Sequence, residues 1–155
     1  MPAVSIESLS DETLEKARAS AVAAGLSFAG SIPPREAWRL VQSGAAVLVD
    51  VRSAEERKFV GHVPGSAHVA WATGTSLNRN PRFVRELEAK VRKDEVVLLL
   101  CRSGKRSALA AEAATKAGFT SAFNILEGFE GEIDERQHRG VSGGWRFREL
   151  PWVQD

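Results

Sequence analysis

The chain has 155 residues, with 21 Lys and Arg against 20 Asp and Glu, a net charge of +1, and 43% hydrophobic residues. That length suits one domain with a full core, and so balanced a charge leaves no global basic field of the kind that binds nucleic acid or membrane surfaces. The single cysteine excludes an internal disulfide and a Cys-rich metal site; with no apolar leader or span in the acidic first residues, a reducing compartment, the cytoplasm, is the expected location.

Ser10-Asp11-Glu12-Thr13 predicts a helix start, because Ser caps well and acids suit a first turn. Leu9, Thr13, Leu14, Ala17, Ala21 and Val22 follow at helical spacing, and Gly25 is the stop. Residues 1–30 therefore read as an N-terminal helical extension, which either packs on the domain or forms a dimer contact. A short strand is predicted near Leu26–Ala29. Pro33-Pro34 begins a second helix, whose apolar face is Ala37, Trp38, Leu40 and Val41 and which ends at Gly44. Ala45–Val51 is a continuous apolar strand with Asp50 and Arg52 at its tip. Ligands of parallel sheets bind at the carboxyl ends of the strands, so this pair lies on the functional rim. A structural ion pair or a helix cap is the plainer use of the same two residues.

Ser53–Val60 reads as a short polar helix, Gly61–Ser66 as a tight turn and Ala67–Ala70 as a short strand. His62 is either a catalytic base or, as is commoner in a turn bracketed by Gly and Pro, a ring that ties loop backbone together. His62, His68 and His138 share no familiar ligand spacing, so no metal is assigned, and no cofactor is called for. Trp71–Pro81 reads as a polar loop. Arg82–Val91 is an amphipathic helix with Phe83, Leu87 and Val91 on one face.

The next stretch organises the chain. Val96–Leu100 is an unbroken apolar run, the pattern of a strand buried on both faces in a parallel sheet. Cys101-Arg102-Ser103-Gly104-Lys105-Arg106 follows as a short basic turn, and an Ala-rich helix runs from Ser107 to Ala117. A strand that turns through Gly into a helix aims backbone N–H groups and the helix's positive end at one point. The cysteine sits there, among Arg102, Lys105 and Arg106, which marks it as a nucleophile held as thiolate. A buried structural cysteine needs no such cluster, since convergent cations repel one another unless an anion sits among them. Ala122–Leu126 is the last strand. Strands and helices thus alternate, which argues for a parallel sheet with helices on both faces.

Cys101-Arg102-Ser103-Gly104-Lys105-Arg106-Ser107 resembles the active loop of the rhodanese (sulfurtransferase) family. Asp50-Val51-Arg52, with Glu55, Glu56 and Gly61-His62-Val63-Pro64-Gly65-Ser66-Ala67 after it, resembles that family's first signature. Ala117-Gly118-Phe119 and Ile125-Leu126-Glu127-Gly128 resemble its last turn and strand. The likeness runs from about Ser31 to Gly128, with a tail at Trp145–Pro151, so 31–155 is the expected domain. It implies a three-layer α/β fold around a five-stranded parallel sheet. It also implies thiosulfate sulfurtransferase chemistry, with Cys101 as the sulfur-carrying residue. The backbone from Arg102 to Arg106, with Ser107, would cradle its sulfur. Asp50 and Arg52 would support the loop and the neighbouring helix. Arg102, Lys105 and Arg106 suit a dianionic donor such as thiosulfate.

Related phosphatase-like and arsenate-reductase-like domains place five residues between Cys and Arg. Here Ser107 holds that place and Arg106 comes one position early, so the tighter loop fits a single sulfur better than an oxyanion. With no second cysteine, the acceptor comes from outside, as a small molecule or a thiol protein. A persulfide carrier that serves a partner protein is the alternative. Phe129–Gly144 departs from the family pattern as an insertion at the strand-end rim. It is either a partial lid over the site or a solvated loop.

Overall fold

The computed structural model describes residues 6–155. Five strands, β1 (Gly30–Ile32), β2 (Val47–Asp50), β3 (Ala67–His68), β6 (Val97–Leu100) and β7 (Ala122–Ile125), form one sheet in the order β1-β7-β6-β2-β3. Every neighbouring pair in it is parallel. All four residues of β6 are buried, and alternate residues serve opposite faces. Val97 and Leu99 pack with Phe83, Leu87, Ala110 and Ala114. Leu98 and Leu100 pack with Ala17, Ala37, Leu40 and Phe123. The first set comes from α4 (Phe83–Lys90) and α5 (Lys105–Lys116); in the second, Ala17 comes from α1 (Ile6–Ala24), Ala37 and Leu40 from α2 (Pro34–Gln42), and Phe123 from the neighbouring strand β7. The expected three-layer α/β architecture is the one observed.

Several boundaries differ for local reasons. Helix α1 is already running at Ile6, four residues before the expected cap at Ser10. It packs on the domain through buried Ala17 and Ala21, and Arg18 donates to the Thr120 carbonyl and the Ser121 hydroxyl. The first strand lies at Gly30–Ile32 rather than Leu26–Ala29, in register with Phe123–Ile125 of β7, and at Gly30 it passes so close to α1 that a Cβ would meet the Ala17 carbonyl oxygen at 2.6 Å. The stretch read as a polar loop, 71–81, contains an antiparallel hairpin of β4 (Ala72–Thr73) and β5 (Asn78–Arg79). Its strands are too short for any burial period to show in the sequence.

Helix α3 (Ala54–Val60) is opened by Ser53, whose hydroxyl accepts from the Glu56 N–H while the Glu56 side chain accepts from the Ser53 N–H. This reciprocal capping fixes where Glu56 stands. The C-terminal tail returns to the same region. Val153 and His62 exchange two backbone hydrogen bonds, of 2.8 and 2.9 Å, and the Trp152 ring packs on Gly61. No described helix is long and apolar enough to cross a membrane.

Candidate active site

Pairing of Asp50 with Leu100 across β2 and β6 brings the two strand tips to one rim, with Cys101 next in the chain. Cys101 is 1% exposed. Its Sγ accepts from the Gly104 N–H at 3.0 Å and from the Ser107 hydroxyl at 3.2 Å. Gly104 stands at φ +102°, ψ −4° as the N-cap of α5, a left-handed conformation that suits glycine. The helix thus begins at Lys105, two residues before the predicted Ser107 start. The positive end of the helix, with N–H groups that lack intrahelical partners, starts at the residue whose N–H bonds the sulfur.

The loop is held from behind. The Cys101 carbonyl accepts from the Phe129 N–H at 2.8 Å, and the Arg102 carbonyl from Glu130 and Gly131 at 3.0 and 3.2 Å. No cis peptide bond occurs among the described residues, and in a planar trans peptide C=O and N–H point opposite ways. Turning these carbonyls backward therefore turns the Arg102 and Ser103 N–H groups toward the front of the loop. Gly128 makes this docking possible. At φ +67°, a Cβ on it would meet the Arg102 carbonyl at 2.4 Å and the Ser103 nitrogen at 2.5 Å.

A second support runs through Asn124 of β7, 6% exposed, whose side-chain oxygen lies 2.5 Å from the Ser107 hydroxyl. One hydroxyl carries one proton and cannot serve both Sγ and an amide oxygen. Turning the amide over, an assignment open to any Asn, lets Asn124 donate to Ser107 and Ser107 to Cys101. Sequence reading did not single out Asn124, because an Asn in a strand carries no signal of its own.

Arg106 departs from its expected role. Its two terminal nitrogens donate to Glu56 at 2.7 and 2.8 Å, a bidentate pair joining α5 to α3. Burial raises the Glu56 carboxyl, but the Arg106 bonds and charge, with the Ser53 N–H, more than offset it, so its pKa is lowered to about 2. Burial likewise lowers the Arg106 pKa, and the bonds and charge of Glu56 override this to leave it raised. The guanidinium thus reaches the site with its fork already on a carboxylate. Glu56 is the most consequential residue that sequence reading left without a role.

Asp50 and Arg52 are fully buried and paired at 2.8 Å. Asp50 also accepts from Arg57 at 3.0 Å, Arg52 donates to the Gly61 carbonyl at 2.7 Å, and its guanidinium lies 4.2 Å from the Phe129 ring centroid. They anchor α3, the Gly61 turn and Phe129 rather than touching Cys101 or its loop. His68, not His62, uses a ring nitrogen on backbone, 2.7 Å from the Arg52 carbonyl. The His62 Nδ1 is buried with no partner among the described residues.

In front of the loop lies a cleft of about 310 Å3, lined on one side by Arg102, Lys105 and Arg106 and on the other by Trp71, Leu77 and Arg79. The hairpin, not the 129–144 segment, supplies that second wall. Phe129 and Trp145 are fully buried, in the core; of the two readings of 129–144, lid or solvated loop, the structure shows an exposed surface loop over most of 132–142, with a brace for the active loop at its start. Among the described residues, no group of three or more His, Cys, Asp and Glu is placed to hold a metal.

A family model described as the rhodanese-like domain matches residues 33–133. The chain belongs to the rhodanese-like domain family. An M. tuberculosis protein of known crystal structure, Rv0390, is 44% identical, with a TM-score of 0.74 over 83% of this chain and 99% of that one. An uncharacterized Rickettsia prowazekii protein is 35% identical over 73% of this chain and 87% of its own length. The thiosulfate sulfurtransferase GlpE of Pseudomonas savastanoi is 31% identical over 64% of this chain and 82% of its own. The matched span of the rhodanese-like domain holds Cys101 and its loop, Asp50, Arg52, Glu56, Asn124 and the hairpin. Helix α1 and the tail that carries Trp145 and Trp152 lie outside it.

Proposed function

We propose that this rhodanese-like domain is a thiosulfate sulfurtransferase that works through a persulfide on Cys101. The observation that carries the reading is the ring of donors around Sγ, with the Gly104 N–H and Ser107 O–H already on it. In the first half-reaction the Cys101 thiolate attacks the outer sulfur of thiosulfate. The donor's S–S bond breaks, its electron pair leaves with sulfite, and Cys101 holds the sulfane sulfur. In the second, a nucleophile takes that outer sulfur and Cys101 departs as thiolate. Gly104 and Ser107 stabilise the thiolate in both steps, and the N–H groups of Arg102 and Ser103 face the outer sulfur. Because Cys101 is 1% exposed, the donor's sulfur must enter the loop, which selects for a terminal, unsubstituted sulfur. Arg102 and Lys105 provide charge for a sulfonate.

Two features favour sulfur over phosphate chemistry. Helix α5 closes the loop at Lys105, and the arginine fork that a phosphatase would aim at its oxyanion is bound to Glu56. The chain has one cysteine, so the acceptor is external. Steady-state thiocyanate formation from thiosulfate and cyanide, beside aryl phosphate hydrolysis, tests the reading. It predicts thiocyanate turnover that Cys101→Ser abolishes. Phosphate release without thiocyanate would overturn it.

A further inference from the structure

The cleft in front of the loop is larger than an inorganic oxyanion requires. At about 310 Å3 it falls at the lower end of the range, roughly 300–1,000 Å3, in which proteins hold organic ligands. Its two walls differ in chemistry. The loop side offers Arg102 and Lys105, neither in an ion pair among the described residues, and the Arg102 Nε is buried with no partner among them. The hairpin side offers Arg79, whose guanidinium carbon lies 3.4 Å from the Trp71 ring centroid, with Leu77 beside it. The Trp71 ring is fixed in turn by edge contact with Phe83 at 5.1 Å between centroids. Among the described residues, no carboxylate lines the cleft.

A guanidinium stacked on an indole is held flat; Arg79 gives its Nη1 to the Asn80 carbonyl, and its Nε and Nη2, which bond no described residue, remain for a carboxylate. Cations on two separate elements, with an apolar ring and a leucine among them, match a ligand with more than one anionic group on a carbon body. A lone sulfonate next to the sulfur would not use the hairpin. We infer that the β4–β5 hairpin is the specificity element of this site, and that it reads the carboxylates of a low-molecular-weight thiol that accepts the sulfur. This rests on the sulfur-transfer reading above.

In the step concerned, the acceptor thiolate attacks the outer sulfur of the Cys101 persulfide. A new sulfur–sulfur bond forms on the acceptor, the Cys101–sulfur bond breaks, and Cys101 leaves as thiolate. The sulfane sulfur and its proton pass to the acceptor, and no outside oxidant or reductant is needed. The negative charge of the acceptor gathers at a site where Cys101 becomes a thiolate, and Arg79, Arg102 and Lys105 offset that accumulation.

The test is single-turnover discharge. The protein is loaded with thiosulfate, the gain of one sulfur is verified by intact mass, and the donor is removed. Loss of the bound sulfur is then followed with mercaptosuccinate, a dicarboxylate thiol, or 2-mercaptoethanol, which has no charge besides its thiol, each at equal thiolate concentration and low salt. The wild-type protein should discharge to mercaptosuccinate about tenfold faster. Arg79→Gln should lower that rate ratio about fivefold, the scale of an exposed charge contact, while Arg79→Lys keeps most of it. Equal discharge to the two thiols, or a ratio unchanged in Arg79→Gln, would overturn the inference with the sulfur-transfer reading intact. Failure to load sulfur at all would overturn that reading instead, and the inference with it.

Discussion

Glu56→Gln isolates the charge that ties the active loop to the first signature. Gln keeps an oxygen that accepts from the Ser53 N–H and hydroxyl, so the helix cap survives while the ion pair with Arg106 is lost. Lowering the Glu56 carboxyl from 4.5 to about 2 would correspond to at most about 3 kcal/mol. Partial exposure of the pair screens it, and about 1–2 kcal/mol is the expected loss at neutral pH. For a chain of this size that lowers Tm by roughly 2–8 °C. The sign follows from the depressed pKa. A carboxyl held below its unfolded value contributes stability above 4.5, and loses it as pH falls toward 2. Thermal unfolding of both proteins at about pH 7 and pH 3 should therefore show a difference that shrinks by more than half in acid. A difference that is the same at both pH values, or none at neutral pH, would refute the assignment of Glu56 as the ionised partner of Arg106.

Gly128→Ala places a methyl against the Arg102 carbonyl in a left-handed backbone, and an expected loss of at least about 2 kcal/mol should appear as a lowered urea midpoint together with slowed sulfur loading. Arg52→Met leaves Asp50 buried with only Arg57, and should destabilise by roughly 3–5 kcal/mol in denaturant unfolding. Ser107→Ala removes one donor to the sulfur without enlarging the chain. It should fold normally and slow sulfur loading by about tenfold or more in stopped-flow assays.

Much of the scaffold could be read from the chain because burial writes itself in apolar runs. Val97–Leu100 and Val47–Asp50 lie within the predicted strands, and the alternation of β6 between two helix layers follows from its continuous hydrophobicity. The loop was legible for the same reason in reverse, since a cysteine among cations after such a run has no packing rationale. What escaped depends on contacts distant in sequence. Glu56 and Arg106 are fifty positions apart, and each alone is an ordinary charged helix residue. The hairpin at Ala72–Arg79 draws its stability from two short paired segments and the Trp71–Arg79 stack, which leaves a polar sequence with no period. The segment after Gly128 was recognisable as extra length, but length carries no direction. The backbone bonds from Phe129, Glu130 and Gly131 to the loop carbonyls place its start under the loop.

The central claim is that Cys101 carries a sulfane sulfur. Intact mass spectrometry of the protein after thiosulfate treatment tests it most directly. The account predicts a gain of one sulfur atom, removed by a thiol and absent in Cys101→Ser. An unchanged mass with thiosulfate and with other sulfane donors, or a gain that persists in Cys101→Ser, would contradict it.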